Sequence, residues 1–259
     1  MRQFRLTLAY DGADLVGWQR QPSGTSVQAL VEDVLAILDG QPVTITGAGR
    51  TDAGVHALGQ VASFSLARDI APDTLVRALN FHLPPSVRAV EAAEVPPQFH
   101  ARFSAKSKTY RYQIWTGPVH PPMIRSFSWH VPGPLDVEAM DSAARRLEGL
   151  HDFAAFQSVG TEVPDTERTI MSSHVQTGAS DRPGVLGGLT TSAGRLVTYE
   201  VTGSGFLRHM VRGIVGTLVE IGLGRHNPGW INTVLESRDR AEAGRNAPPQ
   251  GLFLVRVTY

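Results

Sequence analysis

One carboxylate is set apart from the other acidic residues of this chain by its surroundings. In Gly47-Ala48-Gly49-Arg50-Thr51-Asp52-Ala53-Gly54-Val55-His56-Ala57, Asp52 stands two residues from Arg50 in a loop holding three glycines. Glycine lets a backbone turn tightly and come close to a ligand. A carboxylate so placed is available as a base or nucleophile, and an adjacent guanidinium favours its charged form. A glycine-rich turn with a surface ion pair is the other reading of the same spacing. Arg212 is a second candidate partner for Asp52. At about 4 Å and an effective dielectric near 20, such a pair interacts by roughly 4 kcal/mol before desolvation is counted. Arg208 and Arg212 lie four apart, which predicts one face of an apolar helix over residues 206–223. Leu207, Met210, Val211, Ile214, Val215 and Leu218 supply its buried side. Charges at the edge of so apolar a helix need partners, unless both arginines are merely solvated. Asp11 and Asp14 are the rival carboxylates, but they read as hairpin-turn residues.

Other chemistries lack their residues. Gly47-Ala48-Gly49 has no following Gly-Lys-Ser/Thr, and its third glycine is misplaced for a dinucleotide fingerprint, so no nucleotide cofactor is expected. No pair of histidines has metal-ligand spacing with a third ligand in view, so none is expected to bind metal. Cysteine is absent, which excludes disulfides and thiol–metal sites. No run of about 18 apolar residues suggests a membrane span. The start reads as a strand rather than a leader, so the expected location is cytoplasmic.

The elements that must position Asp52 follow from periodicity. Phe4, Leu6, Leu8 and Tyr10 alternate as in a strand. Thr25 to Gln28 resembles a capping box before a helix carrying Val27, Leu30, Val31, Val34 and Leu38 and ended by Gly40. Val43 and Ile45 predict a strand before the loop, and residues 61–66 a second one after it. A short helix is expected over 72–80, and paired prolines bracket a strand between 85 and 96. Tyr110, Tyr112 and Ile114 share one strand face, so a core tyrosine is the plain reading of Tyr110. Asp136 opens a helix with Val137, Met140, Ala144 and Leu147 inward, closed by Gly149. Strands are expected near 169–175, 196–201 and 253–259. Residues 157–168 read as a mobile loop and 177–188 as a hairpin loop. Strands followed by helices in two similar halves argue for an α+β protein, divided at 1–104 and 105–259.

Net charge is zero over 259 residues, but its distribution is uneven. Residues 95–135 contain no Asp or Glu and carry Arg102, Lys106, Lys108, Arg111 and Arg125, including both lysines of the chain. A second acid-free stretch, 203–219, holds Arg208 and Arg212. A neutral protein can thus present a positive face, and local field governs phosphate attraction.

Arg50-Thr51-Asp52-Ala53-Gly54-Val55-His56 resembles the signature of the TruA-type tRNA pseudouridine synthases. The resemblance extends through Tyr10-Asp11-Gly12, Gly17-Trp18-Gln19-Arg20-Gln21, Ser26-Val27-Gln28, Gly59-Gln60-Val61, Phe99-His100-Ala101-Arg102-Phe103-Ser104-Ala105, Tyr110-Arg111-Tyr112, His209-Met210-Val211-Arg212 and Ile214-Val215-Gly216. It implies two ferredoxin-like halves with a joined, mostly antiparallel sheet and a cleft between them. It also implies isomerisation of uridines 38, 39 and 40 in the anticodon arm of tRNA by a homodimer. Asp52 would be the catalytic carboxylate, Arg212 an active-site arginine, and Tyr110 the ring facing the target base. Arg50 would contact the charge of Asp52 or the RNA. Arg20, Arg102, Lys106, Lys108, Arg111 and Arg208 are the expected RNA contacts. The reaction breaks and remakes a glycosidic bond without redox change, so no cofactor is needed. A non-catalytic tRNA binder and a small-sugar glycosidase are the competing classes. The latter needs a second carboxylate near Asp52.

Overall fold

Phe4, Leu6 and Leu8 are fully buried while Arg5 and Thr7 between them are half-buried, as alternation requires of strand β1 (Arg2–Tyr10). The computed structural model describes residues 1–158, 165–178 and 194–259. After β1 come α1 (Val27–Asp39), β2 (Thr46–Gly47), β3 (His56–Leu66), α2 (Pro72–His82), β4 (Val87–Glu94) and β5 (Ser107–Trp115). Then follow β6 (Trp129–His130), α3 (Val137–Arg145), β7 (Gly149–Asp152), β8 (Glu167–Thr177), β9 (Leu196–Gly203), α4 (Met210–Gly222), α5 (Trp230–Ser237) and β10 (Leu252–Thr258). The fold is mixed α+β with mostly antiparallel pairing. Of the expected loops, 159–164 and 179–188 lie outside the described residues.

The chain forms two compact units. The first is Met1–Lys108 together with Phe253–Tyr259. The sequence reading put that final segment with the second half, with the division four residues earlier. In the first unit β1 lies between β4 and β3, antiparallel to both. β10 runs parallel to β3, with Phe253 opposite His56 and Leu254 opposite Ala57. Helix α1 is capped by Ser26, whose hydroxyl accepts from Ala29 N, and ends at Gly40 with φ 75°. Ser26 rather than Thr25 is therefore the cap, and the box is not closed because the third helical residue is Ala29. Val43 and Ile45 are buried but stand outside any strand, and β2 is confined to Thr46–Gly47. The cause is local: Ile45 N donates to Glu32 Oε1 at 3.1 Å, so a side chain of α1 takes the place of a neighbouring strand.

The second unit is Thr109–Leu252. Within it β9 lies between β5 and β8, and β7 flanks β8; β8 is antiparallel to both β9 and β7. Asp136 caps α3 by accepting from Ala139 N at 2.9 Å. The helix stops at Arg145, short of the expected Gly149, although Leu147 remains fully buried in the turn that follows. Helix α4 begins at Met210, not near 206. His209 has φ 63°, a left-handed conformation that a right-handed helix cannot include.

Candidate active site

Asp52 lies on the loop between β2 and β3, in the first unit. The loop is fixed from beneath by side chains of β1 and β3. Tyr10 Oη and Thr51 Oγ1 are 2.8 Å apart, both residues being buried. Gln60, fully buried, donates from Nε2 to Gly49 O at 2.8 Å and accepts at Oε1 from Val61 N at 3.1 Å. Trp18 N donates to Thr51 O at 3.0 Å, and Ala48 N to Val61 O at 2.7 Å. Burial pushes the Tyr10 phenol up to about 12, so it stays protonated at ordinary pH.

Two glycines make this anchoring sterically possible. A Cβ on Gly12 would stand 2.1 Å from Val55 O. One on Gly17, which has φ 103°, would stand 2.6 Å from Thr51 O. The segments Tyr10-Asp11-Gly12, Gly17-Trp18 and Gly59-Gln60-Val61, scattered in sequence, thus meet under one loop. Their positioning role was invisible to pattern reading, although each belongs to the family-like motifs. Above this support Asp52 is half-buried, its carbonyl accepting from Val55 N at 3.1 Å to close a tight turn. Its backbone is held, and the residue itself is only half-buried. Arg50 is exposed. Lys108 reaches the same loop: its Nζ is 3.4 Å from where a Cβ on Gly49 would stand.

The other polar residues near the loop have structural work. His56 is 1% exposed and stacks on Phe253 at 4.8 Å between ring centres. Gly12 N lies 3.0 Å and Asp11 Oδ1 3.1 Å from its Nδ1. Asp11 also accepts from Ala13 N at 3.0 Å, as a turn residue does. Asp14 is exposed. Among the described residues no group of three or more His, Asp or Glu could hold a metal ion.

In the second unit Tyr110 is buried on β5, its ring edge-to-face with Phe206 at 5.0 Å and 77°. Arg212, in the first turn of α4, donates from Nε to Ala247 O at 2.7 Å, and Ala247 N returns a bond to Arg212 O at 3.0 Å. This exchange with a fully buried residue fixes the stem of Arg212. Tyr112 is also fully buried and donates to Pro248 O at 2.7 Å, and burial pushes its phenol far above the ordinary value. Arg208 is exposed and precedes His209, so it does not share a helical face with Arg212 as four-residue spacing predicted.

The expected RNA contacts divide by setting. Arg102 and Lys106 are exposed. Arg20 is half-exposed but engaged with Glu32 at 3.1 Å and Asp33 at 2.8 Å. Arg111 is 8% exposed and sends Nε and Nη2 to a single oxygen of Glu200, at 3.0 and 2.7 Å. Its charge is thus committed within the unit, across neighbouring strands β5 and β9. No described helix is long and apolar enough to cross a membrane.

The comparisons agree over nearly the whole chain. The family profile described as tRNA pseudouridine synthase matches residues 7–104 and 143–259. A "tRNA pseudouridine synthase A" of Methylacidiphilum infernorum is 44% identical over 257 residues, covering 99% of this chain and 95% of the relative. The protein of that name from Geotalea uraniireducens is 44% identical over 259 residues and covers 100% of both. That from Moorella thermoacetica is 45% identical, covering 98% of each. On this evidence the chain belongs to the tRNA pseudouridine synthase family.

Proposed function

We propose that this chain isomerises uridines 38, 39 and 40 in the anticodon arm of tRNA to pseudouridine, with Asp52 as the catalytic carboxylate. The observation that carries the assignment of Asp52 is its loop: the backbone is locked through Tyr10, Trp18 and Gln60 while Asp52 itself is only half-buried. A catalytic group gains from such fixed placement before substrate arrives. As the N1–C1′ bond of uridine breaks, the sugar becomes electron-deficient. Asp52 attacks C1′ or removes the C2′ proton, and in either case opposes the positive charge. The freed uracil turns and rejoins the sugar through C5, displacing the Asp52 carboxylate from C1′ or, on the other route, with Asp52 returning the proton to C2′, and C5 then loses its own proton. Tyr110 is assigned to the face of the uracil, with Phe206 setting its ring angle, and Arg212 and Arg50 to charge balance. The base must leave its stack to be reached, at a cost of about a few kcal/mol that binding must offset.

The first unit supports the ferredoxin-like reading. Its succession β1-α1-β2-β3-α2-β4, with β1 between β4 and β3 and β2 on the far side of β3, is the order of that fold. A cytoplasmic homodimer acting without a cofactor completes the reading.

The deciding experiment uses tRNA transcripts carrying tritium at uracil C5. Incubation with the purified chain is expected to release tritium to water and leave carbodiimide-reactive pseudouridine at positions 38–40. No release, or product confined to another stem, overturns the proposal. A second outcome bears on the loop. Tyr10→Phe removes the bond to Thr51 and should cost about 1 kcal/mol of stability. In steady-state assays it should lower kcat several-fold while tRNA affinity holds. An unchanged kcat would show that turnover does not depend on that anchor.

A further inference from the structure

The turn at 100–104, in the first unit, holds an aromatic ring out in water. Phe103 is 77% exposed, although phenylalanine is ordinarily covered. It is nonetheless not a loose side chain. The His100 ring stacks against it at 4.3 Å and 27°, and the Arg102 guanidinium lies 5.6 Å from its centre. His100 is itself fixed, because its Nδ1 accepts from both Arg102 N and Phe103 N at 3.2 Å. His100 N donates to Ser104 Oγ at 3.1 Å, and Ser104 N to His100 O at 2.9 Å. The base of the turn is tied to the sheet: Ala101 N donates to Ser63 Oγ at 3.0 Å, and Tyr259 donates to Ala101 O at 2.8 Å.

We propose that Phe103 is a stacking platform for an unpaired base of the RNA, backed by His100, with Arg102 and Lys106 serving the adjoining phosphates. The inference rests on the RNA-modifying reading and adds a contact to it. Three observations select this occupant. The ring is rigid before binding, so little side-chain freedom remains to be lost. The flanking residues Arg102, Ser104 and Lys106 are exposed and polar, so this is one ring and not a broad apolar patch. No carboxylate occurs from 95 to 135, which suits a polyanion. A base within a duplex has its faces covered by its neighbours, whereas an unstacked base offers a face to an aromatic ring.

Fluorescence anisotropy with labelled tRNA, read across a salt series, tests this. Phe103→Ala should weaken binding by about tenfold with an unchanged salt slope, because stacking neutralises no phosphate. Phe103→Tyr and Phe103→Trp should bind as the parent does, and the introduced tryptophan should be quenched by tRNA but not by blunt duplex RNA. Arg102→Gln should reduce the salt slope by about one. Equal affinity of Phe103→Ala for tRNA overturns the proposal. So does a change confined to the sedimentation coefficient of the free protein, which would make the ring a contact between copies. Failure of the parent chain to form pseudouridine would instead sink the functional reading, and the anisotropy series would still report on the ring.

Discussion

Asp52→Asn is expected to reduce tritium release from C5-labelled tRNA by more than about 10³-fold while leaving tRNA affinity within a factor of a few. The substitution keeps the shape of the side chain and removes its charge, nucleophilicity and basicity. The loop is supported through the backbone and side chain of Thr51 and through Gly49 O and Ala48 N, all of which the variant retains. The variant should therefore remain folded, which thermal melting checks. Substantial turnover by this variant would remove Asp52 from its role. Asp52→Glu should also be severely impaired, since one added methylene displaces the oxygens by about an ångström from a placement that catalysis exploits.

The second large effect concerns Arg212. Helix α4 carries Gly213 and Gly216 on the side facing residues 244–247. A Cβ on Gly216 would fall 1.6 Å from Arg245 O, a backbone atom that can yield only by shifting the segment containing Ala247. That segment holds the guanidinium of Arg212. Gly→Ala inside a helix ordinarily stabilises by about 0.5–1 kcal/mol. Here the clash should reverse the sign and destabilise by about 1–3 kcal/mol, the range typical of overpacking. Thermal melting should register roughly 2–10 °C, and kcat should fall with it. Gly213→Ala is the control: its nearest atoms are side-chain atoms of Asn246 and Phe156 at 3.4 Å, and it should be close to neutral. If both variants melt alike, the close approach at Gly216 is not what seats Arg212.

Much of the molecule was readable from spacing because local rules decide it. The alternation in β1, the Gly40 cap and the Asp136 cap involve residues within a few positions of one another. What the pattern missed depends on partners far along the chain. Ile45 reads as a strand residue, but Glu32, on a preceding helix, takes its amide. Arg111 reads as a phosphate contact, and its bond to Glu200, 89 residues away, could not be read from spacing. The apolar period runs unbroken through His209, so nothing in it announced the left-handed residue that separates Arg208 from α4. The loop of Asp52 was conspicuous by composition. Its scaffold was not, since Tyr10, Trp18 and Gln60 look like ordinary strand and turn residues until the fold brings them together.

Strand β10 joins the first unit although about 140 residues separate it from the rest of that unit. A ribosome therefore finishes translating the segment up to Lys108 long before the partner of β3 exists. During that interval the backbone groups of β3 that pair with Phe253 and Leu254 are an open edge on a nascent chain, the kind of edge on which misassembly starts. Chaperone demand during synthesis should accordingly be higher than for a rearranged gene in which residues 252–259 are encoded ahead of Met1.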